Sequence, residues 1–76
     1  MKQLIEDIVK TLVDNPEEVI VHEVAGEQSV VYEIKVEASD IGKVIGKQGK
    51  TANAIRALIR AAAAKTGRNA VINIIS

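Results

Sequence analysis

The sequence has no cysteine, tryptophan or phenylalanine, and it contains one tyrosine and one histidine. Without cysteine, neither a disulfide framework nor a thiolate metal site can form. One aromatic residue, Tyr32, is too few for a protein that stacks bases on an aromatic platform, as RRM and OB surfaces do. No apolar run approaches the roughly 18–20 residues of a membrane span, and the first residues lack a signal-peptide profile. We therefore expect a cytoplasmic protein with no membrane partner.

Groups of catalytic or metal-binding residues are also missing. The single histidine, His22, falls in a predicted strand, and no cluster of His, Asp or Glu has the spacing of metal ligands. None of the serines has a recognisable base partner, and the G-x-S-x-G motif of hydrolases is absent. We therefore expect no enzymatic activity, no metal site and no cofactor.

What the sequence does have is a division of charge between its two halves. Up to Asp40 there are three basic and all ten acidic residues, a balance of −7. From Ile41 onward there are seven basic residues and no acidic one, a balance of +7. Chance segregation on a solvated surface is the alternative, but such segregation is usually milder. We interpret the second half as a basic surface that attracts polyanions.

Hydrophobic periodicity predicts six elements in the order α-β-β-α-α-β, within a single domain over residues 1–76. The predicted helices span 3–13, 41–45 and 50–65, and the predicted strands span 19–24, 30–36 and 70–75. Ser39 or Asp40 is expected to cap the short helix, since Ser and Asp are preferred N-cap residues. The first two strands are expected to form a hairpin. This order predicts an α+β domain with its helices on one face of the sheet.

A glycine- and lysine-rich stretch between the two later helices carries the strongest signal. A P-loop or a dinucleotide fingerprint ending at Gly49 would need glycine at position 44, where the chain has Val44. The remaining interpretation is a GxxG loop, Gly46-Lys47-Gln48-Gly49, which links two helical segments. A GxxG alone is weak, because about 0.3 are expected by chance in a chain of this size. Its position between helices and its flanking lysines make it specific.

The run Val44-Ile45-Gly46-Lys47-Gln48-Gly49-Lys50, preceded by Ile41-Gly42 and followed by Ile55, resembles the signature of the K-homology (KH) RNA-binding domain. A helix and hairpin before this run and one strand after it resemble the type II arrangement of stand-alone bacterial KH proteins. The resemblance covers the whole chain. It implies a three-stranded mixed sheet packed on one face by three helices. It also implies binding of single-stranded RNA by an RNA chaperone or post-transcriptional regulator.

The chemistry of RNA binding explains why such a loop is useful. Glycine has no Cβ, so the loop backbone can approach phosphates closely, and the helix that follows offers free N–H groups at its positive end. The resemblance implies a clamp on about four backbone nucleotides. The expected RNA-binding residues are Ile41, Gly42, Lys43, Val44, Gly46, Lys47, Gln48, Gly49, Lys50 and Arg56.

The apolar residues and Arg56 have a second interpretation as ordinary structural positions. Bases are expected in a groove between the helix pair and the edge of the second strand, with Ile41 and Val44 on its floor and Ile45 in the core. Ile and Val in a short helix are more often core than ligand contacts. For Arg56, a solvated helix face is an equal alternative.

A second hypothesis makes the chain a small adaptor that works through protein–protein pairing. The resemblance permits a homodimer, or a heterodimer with a second KH-containing protein. One domain that grips about four nucleotides binds weakly alone, so pairing would raise avidity. A small-molecule sensor is less favoured, because no polar groups converge beyond the lysines.

Overall fold

The structure, a computed structural model, describes all of residues 1–76 and confirms the predicted element order. Every helix and strand boundary lies within one residue of the sequence expectation. The helices are α1 (Lys2–Leu12), α2 (Ile41–Ile45) and α3 (Lys50–Ala64), and the strands are β1 (Ile20–Ala25), β2 (Ser29–Lys35) and β3 (Asn69–Ile75). None of these helices combines the length and the apolar character needed to cross a bilayer.

The three strands form one mixed sheet in the order β1-β2-β3. β1 pairs antiparallel with β2, as the predicted hairpin requires, and β2 pairs parallel with β3. The long connection through α2 and α3 makes the parallel pair possible, because parallel strands need a crossover. Since β2 is central, both its edges are paired. The expectation of a groove at the edge of the second strand is therefore wrong, and the free edges belong to β1 and β3.

The core lies between the helices and one face of this sheet. Alternate strand residues, such as Tyr32 and Ile34 of β2, are buried against α1 and α3. Burial of each large aliphatic side chain contributes roughly 1.5–3 kcal/mol relative to leaving it exposed. The opposite face carries no helix, and four of its apolar residues are exposed: Ile20, Val24, Val71 and Ile75. The expected layer arrangement, with three helices on one face, is confirmed.

The start of α2 differs from the sequence expectation. Asp40 precedes the helix, but its side chain makes no capping hydrogen bond there. The fully buried carboxylate instead accepts hydrogen bonds from the backbone N–H groups of Asp14 (3.3 Å) and Asn15 (3.0 Å) and from Asn15 Nδ2 (3.0 Å). It satisfies the donors of the α1–β1 connection and so ties that connection to α2. Ser39 does not cap α2 either, because its hydroxyl donates to Glu37.

Candidate nucleic-acid interface

The GxxG loop, residues 46–49, turns the chain sharply between α2 and α3. Gly46, Gln48 and Gly49 have φ values of +77°, +58° and +77°, in the left-handed half of conformational space. Glycine adopts such values without strain, whereas Gln48 is the one non-glycine residue of the chain that does so. The Gly46 N–H donates to Gly42 O (2.9 Å), and the Gly49 N–H donates to Gly46 O (3.1 Å). These bonds close α2 and hold the loop before α3 begins.

The two loop glycines are required for different reasons. A Cβ built on Gly46 would lie 2.2 Å from Thr51 Oγ1 and 2.8 Å from the backbone nitrogen of Thr51. A Cβ on Gly49 would find its nearest neighbour, Asn53 Nδ2, at 3.8 Å. Position 46 is therefore restricted by backbone conformation and by space, and position 49 by conformation alone. The loop backbone packs directly on the first turn of α3 and leaves its outer side to solvent.

Two unpaired ammonium groups lie in the loop and directly after it. Lys47, Gln48 and Lys50 are all exposed. The only ion pairs in the structure are those of Lys43, so Lys47 and Lys50 have no carboxylate partner. The start of α3 directly after Gly49 adds the positive end of a 15-residue helix. Loop, lysines and helix end together form a positive surface suited to an anionic chain.

Lys43 has a different environment from the loop lysines. Its Nζ lies 2.5 Å from Asp14 Oδ2 and 3.7 Å from Asp40 Oδ1. The hydrogen bond to Asp14 raises the pKa of Lys43 above its ordinary value, against the opposing effect of burial and with the help of both negative charges. The charge of Lys43 is thus matched by carboxylates of the acidic half of the chain. No local pattern of residues indicates this contact, because it joins residues 29 positions apart.

Burial of the Asp40 carboxylate raises its pKa, but that effect is outweighed by its hydrogen bonds. Donors from Asn15 and Asp14, together with the Lys43 charge, hold the pKa of Asp40 below its ordinary value. Asp40 is therefore a permanently ionised, fully satisfied group at neutral pH. It fixes the start of α2, and with it the approach to the loop.

The apolar residues of α2 are placed differently from the sequence expectation. Val44 is 0% exposed and belongs to the core, so its assignment to the floor of a base-binding groove is wrong. Ile45, expected inside, is half-buried, and Ile41 is half-buried against the core. A short helix buries one side only, and Val44 occupies that side while Ile45 lies about 100° further round. The reachable apolar surface beside the loop therefore comes from Ile41 and Ile45.

The remaining expected residues lie on accessible surface. Gly42 is exposed, and a Cβ there would meet nothing within 4 Å, so packing does not explain the glycine. Arg56 is half-buried on α3 and Arg60 is exposed one turn later. Sequence reasoning missed Thr51, which packs on Gly46, and Asp14, which holds Lys43. Only the folded chain brings these pairs together.

An α-β-β-α-α-β domain with a mixed three-stranded sheet and a GxxG loop between consecutive helices is a K-homology domain of the type II arrangement. The chain belongs to the family described as KhpA/KhpB, KH domain, whose model matches residues 2–74. The resemblance predicted from the loop signature is thereby confirmed. Membership of this family also confirms that the chain is not an enzyme.

Several curated relatives are similar along nearly the whole chain. The RNA-binding protein KhpA of Clostridium acetobutylicum is 59% identical over 75 residues, which are 99% of this chain and 100% of the relative. The proteins of the same name from Clostridium perfringens and Caldanaerobacter subterraneus subsp. tengcongensis are 55% and 51% identical with the same coverage. No solved structure matches the chain.

Proposed function

We propose that this chain binds single-stranded RNA in the cytoplasm, with residues 1–76 acting as one RNA-binding domain. The observation that carries the proposal is the GxxG loop with its exposed tip, where Lys47 in the loop and Lys50 directly after it have no carboxylate partner. The names of the similar KhpA proteins state that those relatives bind RNA. A sugar–phosphate chain fits a site where protein backbone without side chains and lysines without carboxylate partners occur together.

The loop contacts the RNA backbone, and the neighbouring apolar surface contacts bases. Phosphates approach the solvent side of the loop backbone at Gly49, where an added Cβ would meet no atom closer than 3.8 Å, while Gly46 lets the loop pack on Thr51 and Lys47 and Lys50 supply charge. Gly42 leaves open space on the α2 side of the loop. The half-buried Ile41 and Ile45 offer apolar contact to unstacked bases, in place of Val44.

Such a site reads the backbone more than the base sequence. The single tyrosine, Tyr32, is buried in the core and offers no stacking platform. With about three phosphates neutralised, by Lys47, Lys50 and Arg56, the slope of log K against log salt is expected near −2. Weak, sequence-tolerant binding fits an RNA chaperone or a post-transcriptional regulator.

The decisive variant replaces both exposed loop residues by acids, as Lys47→Asp with Gln48→Asp. We expect the affinity for a labelled oligouridylate to fall by more than about tenfold, because carboxylates would face the phosphates. The control makes the same changes at the exposed Lys2 and Gln3 of α1, a second Lys-Gln pair with an equal change of net charge. Equal losses in both variants, measured by fluorescence anisotropy at fixed salt, would contradict the proposal.

A second candidate function, pairing of two copies of this chain, is favoured by an apolar groove between α1 and α3. The groove has a volume of about 330 Å³, and all eight of its lining residues are hydrophobic. Its rim residues Leu4 and Leu58 are 56% and 62% exposed. No residue of the GxxG loop lines it, so pairing there leaves both loops free for one RNA and raises avidity.

The pairing is tested with Leu58→Glu, which places a charge in the groove. Leu58 lines the groove and is not part of the core. We expect light scattering to show a dimer for the parent chain and a monomer for this variant. The control, Ala61→Glu, changes an exposed residue of α3 outside the groove. A parent chain that is monomeric at all concentrations contradicts self-pairing. A pair formed only with a second KH-containing protein would replace the homodimer by a heterodimer.

A further inference from the structure

Lys43 is held by two carboxylates that differ in their availability. Asp40 is fully buried, and its oxygens already accept three N–H hydrogen bonds from Asp14 and Asn15. The Asp14 carboxylate is 72% exposed, lies 2.5 Å from Lys43 Nζ, and has no other hydrogen-bond or ion-pair partner. The Lys43 ammonium therefore lies between the buried carboxylate of Asp40 and the exposed carboxylate of Asp14.

Lys43 is also close to the loop along the chain. It precedes Gly46 by three residues, which corresponds to about 4.5 Å of helix rise. Its side chain is 46% exposed, and a lysine stem is flexible enough to move its ammonium between nearby anions. A phosphate bound at the start of the loop would compete with Asp14 for the same ammonium.

The exposed ion pair between Asp14 and Lys43 is weak enough for a phosphate to break. An exposed ion pair contributes little to stability, because water screens it and two side chains lose freedom. A phosphate can therefore displace Asp14 from Lys43. Breaking the Asp14–Lys43 ion pair reduces the binding free energy that the contact between phosphate and Lys43 contributes. Because Asp14 pairs with Lys43, the free protein has one fewer unpaired lysine beside the loop than its sequence suggests.

We propose that Asp14 lowers the RNA affinity of the site by competing with phosphate for Lys43. This inference rests on the proposed RNA-binding function, and it assigns a specific role to a residue of the acidic half of the chain. Asp14 weakens binding without contacting RNA. Removal of its charge releases Lys43 as one additional phosphate ligand.

A double-mutant cycle tests the role of Asp14. The variants are Asp14→Asn, Lys43→Ala and their combination, and the probe is a labelled oligouridylate of about 12 nucleotides, longer than the roughly four that one KH loop clamps. Asp14→Asn keeps the backbone N–H that donates to Asp40, so this hydrogen bond can still form. Melting followed by circular dichroism checks this for every variant.

We expect Asp14→Asn to tighten binding roughly two- to fivefold and to steepen the salt slope by about 0.7, the value of one more phosphate on a single strand. In the Lys43→Ala background the same substitution should change the affinity by less than about 1.5-fold. Lys43→Ala alone should weaken binding only slightly. The control Glu17→Gln removes an exposed, unpaired carboxylate three residues away and should lack the effect.

The possible outcomes separate this inference from the proposed function. An equal gain from Asp14→Asn and Glu17→Gln, or a gain that persists without Lys43, overturns the role of Asp14 and shows a general charge effect. A parent chain that binds the probe through Lys47 and Gln48, yet is unaffected by Asp14→Asn, overturns this inference alone. A parent chain that does not bind the probe overturns both.

Discussion

Gly46 and Thr51 are packed so closely that one added carbon on Gly46 would lie 2.2 Å from the Thr51 hydroxyl oxygen. This contact joins the first residue of the GxxG loop to the first turn of α3. The loop shape is therefore set by packing within the protein, before any ligand arrives. A preorganised loop loses little conformational freedom on binding, which favours affinity.

The different surroundings of the two loop glycines predict different costs of substitution. Gly46→Ala should destabilise the chain more than Gly49→Ala, because only the former adds a clash with Thr51 to the strain of a positive φ. That strain is on the order of 1–3 kcal/mol at either position. Urea unfolding measures both free energies. Equal losses would contradict the packing described here, and Thr51→Ala should partly rescue Gly46→Ala, since it removes the nearest clashing atom.

Because Asp40 is ionised and hydrogen-bonded in the folded protein, we expect the stability of the fold to decrease at acid pH. Because its folded-state pKa lies below the ordinary value of 3.8, its stabilisation is present above that value and is lost as pH falls through the folded-state pKa. Asp40→Asn should lower the melting temperature at neutral pH, on the order of 5 °C. The difference from the parent should shrink below about pH 4. A constant difference over this range would contradict the assignment. Glu37, whose pKa is also lowered, contributes to the acid sensitivity of both proteins.

Tyr32 predicts a late titration in base. The pKa of its hydroxyl is raised to about 12, first by burial and then by the hydrogen bond that it donates to Glu23 (2.7 Å) and by the Glu23 charge, against a lowering by the Arg68 charge. As the only aromatic residue, it alone produces the tyrosinate absorbance of this chain. Spectrophotometric titration should therefore give a midpoint well above the ordinary value of 10, with stability lost as pH rises from 10 toward 12. Glu23→Gln should lower that midpoint, and an unchanged midpoint would exclude a contribution from Glu23.

Because helices cover only one face of the sheet, we expect isoleucines on its two faces to contribute differently to the free energy of unfolding. Ile34→Ala removes a side chain that is 0% exposed in the core, so a loss of about 2–5 kcal/mol is expected. Ile20→Ala, on the uncovered face, changes a residue that is 46% exposed and should cost less than about 1 kcal/mol. Chemical denaturation of both variants measures the difference. Similar losses would mean that the uncovered face is buried in solution, for instance by a second copy.

Features of this protein that depend on neighbouring residues could be predicted from its sequence. Hydrophobic periodicity located all six helices and strands, and the glycine spacing located the loop between α2 and α3. Helix and strand formation depends on side-chain patterns within a few residues, so these signals are local. Lys47 and Gln48, which were predicted to bind RNA, are exposed, as that role requires.

Features that depend on distant parts of the chain could not be predicted. Asp40 was expected to cap α2, but its partners are Asp14 and Asn15, 26 and 25 residues away. The ion pair between Lys43 and Asp14 likewise joins residues that are far apart in the sequence. The orientation of α2, which buries Val44 instead of Ile45, is set by how that helix packs on the core, and no local pattern of five residues specifies it.

The tight contact between Gly46 and Thr51 has a practical consequence for genetic screens of this protein. Every other amino acid carries at least a Cβ, so substitutions at position 46 perturb folding and binding together. Lys47 and Gln48 are exposed, so their substitutions act chiefly on ligand recognition, with added backbone strain at position 48 for residues that do not tolerate its φ of +58°. A library that scores only survival would rank all these positions alike. Scoring abundance beside activity would separate the residue that shapes the loop from those that use it.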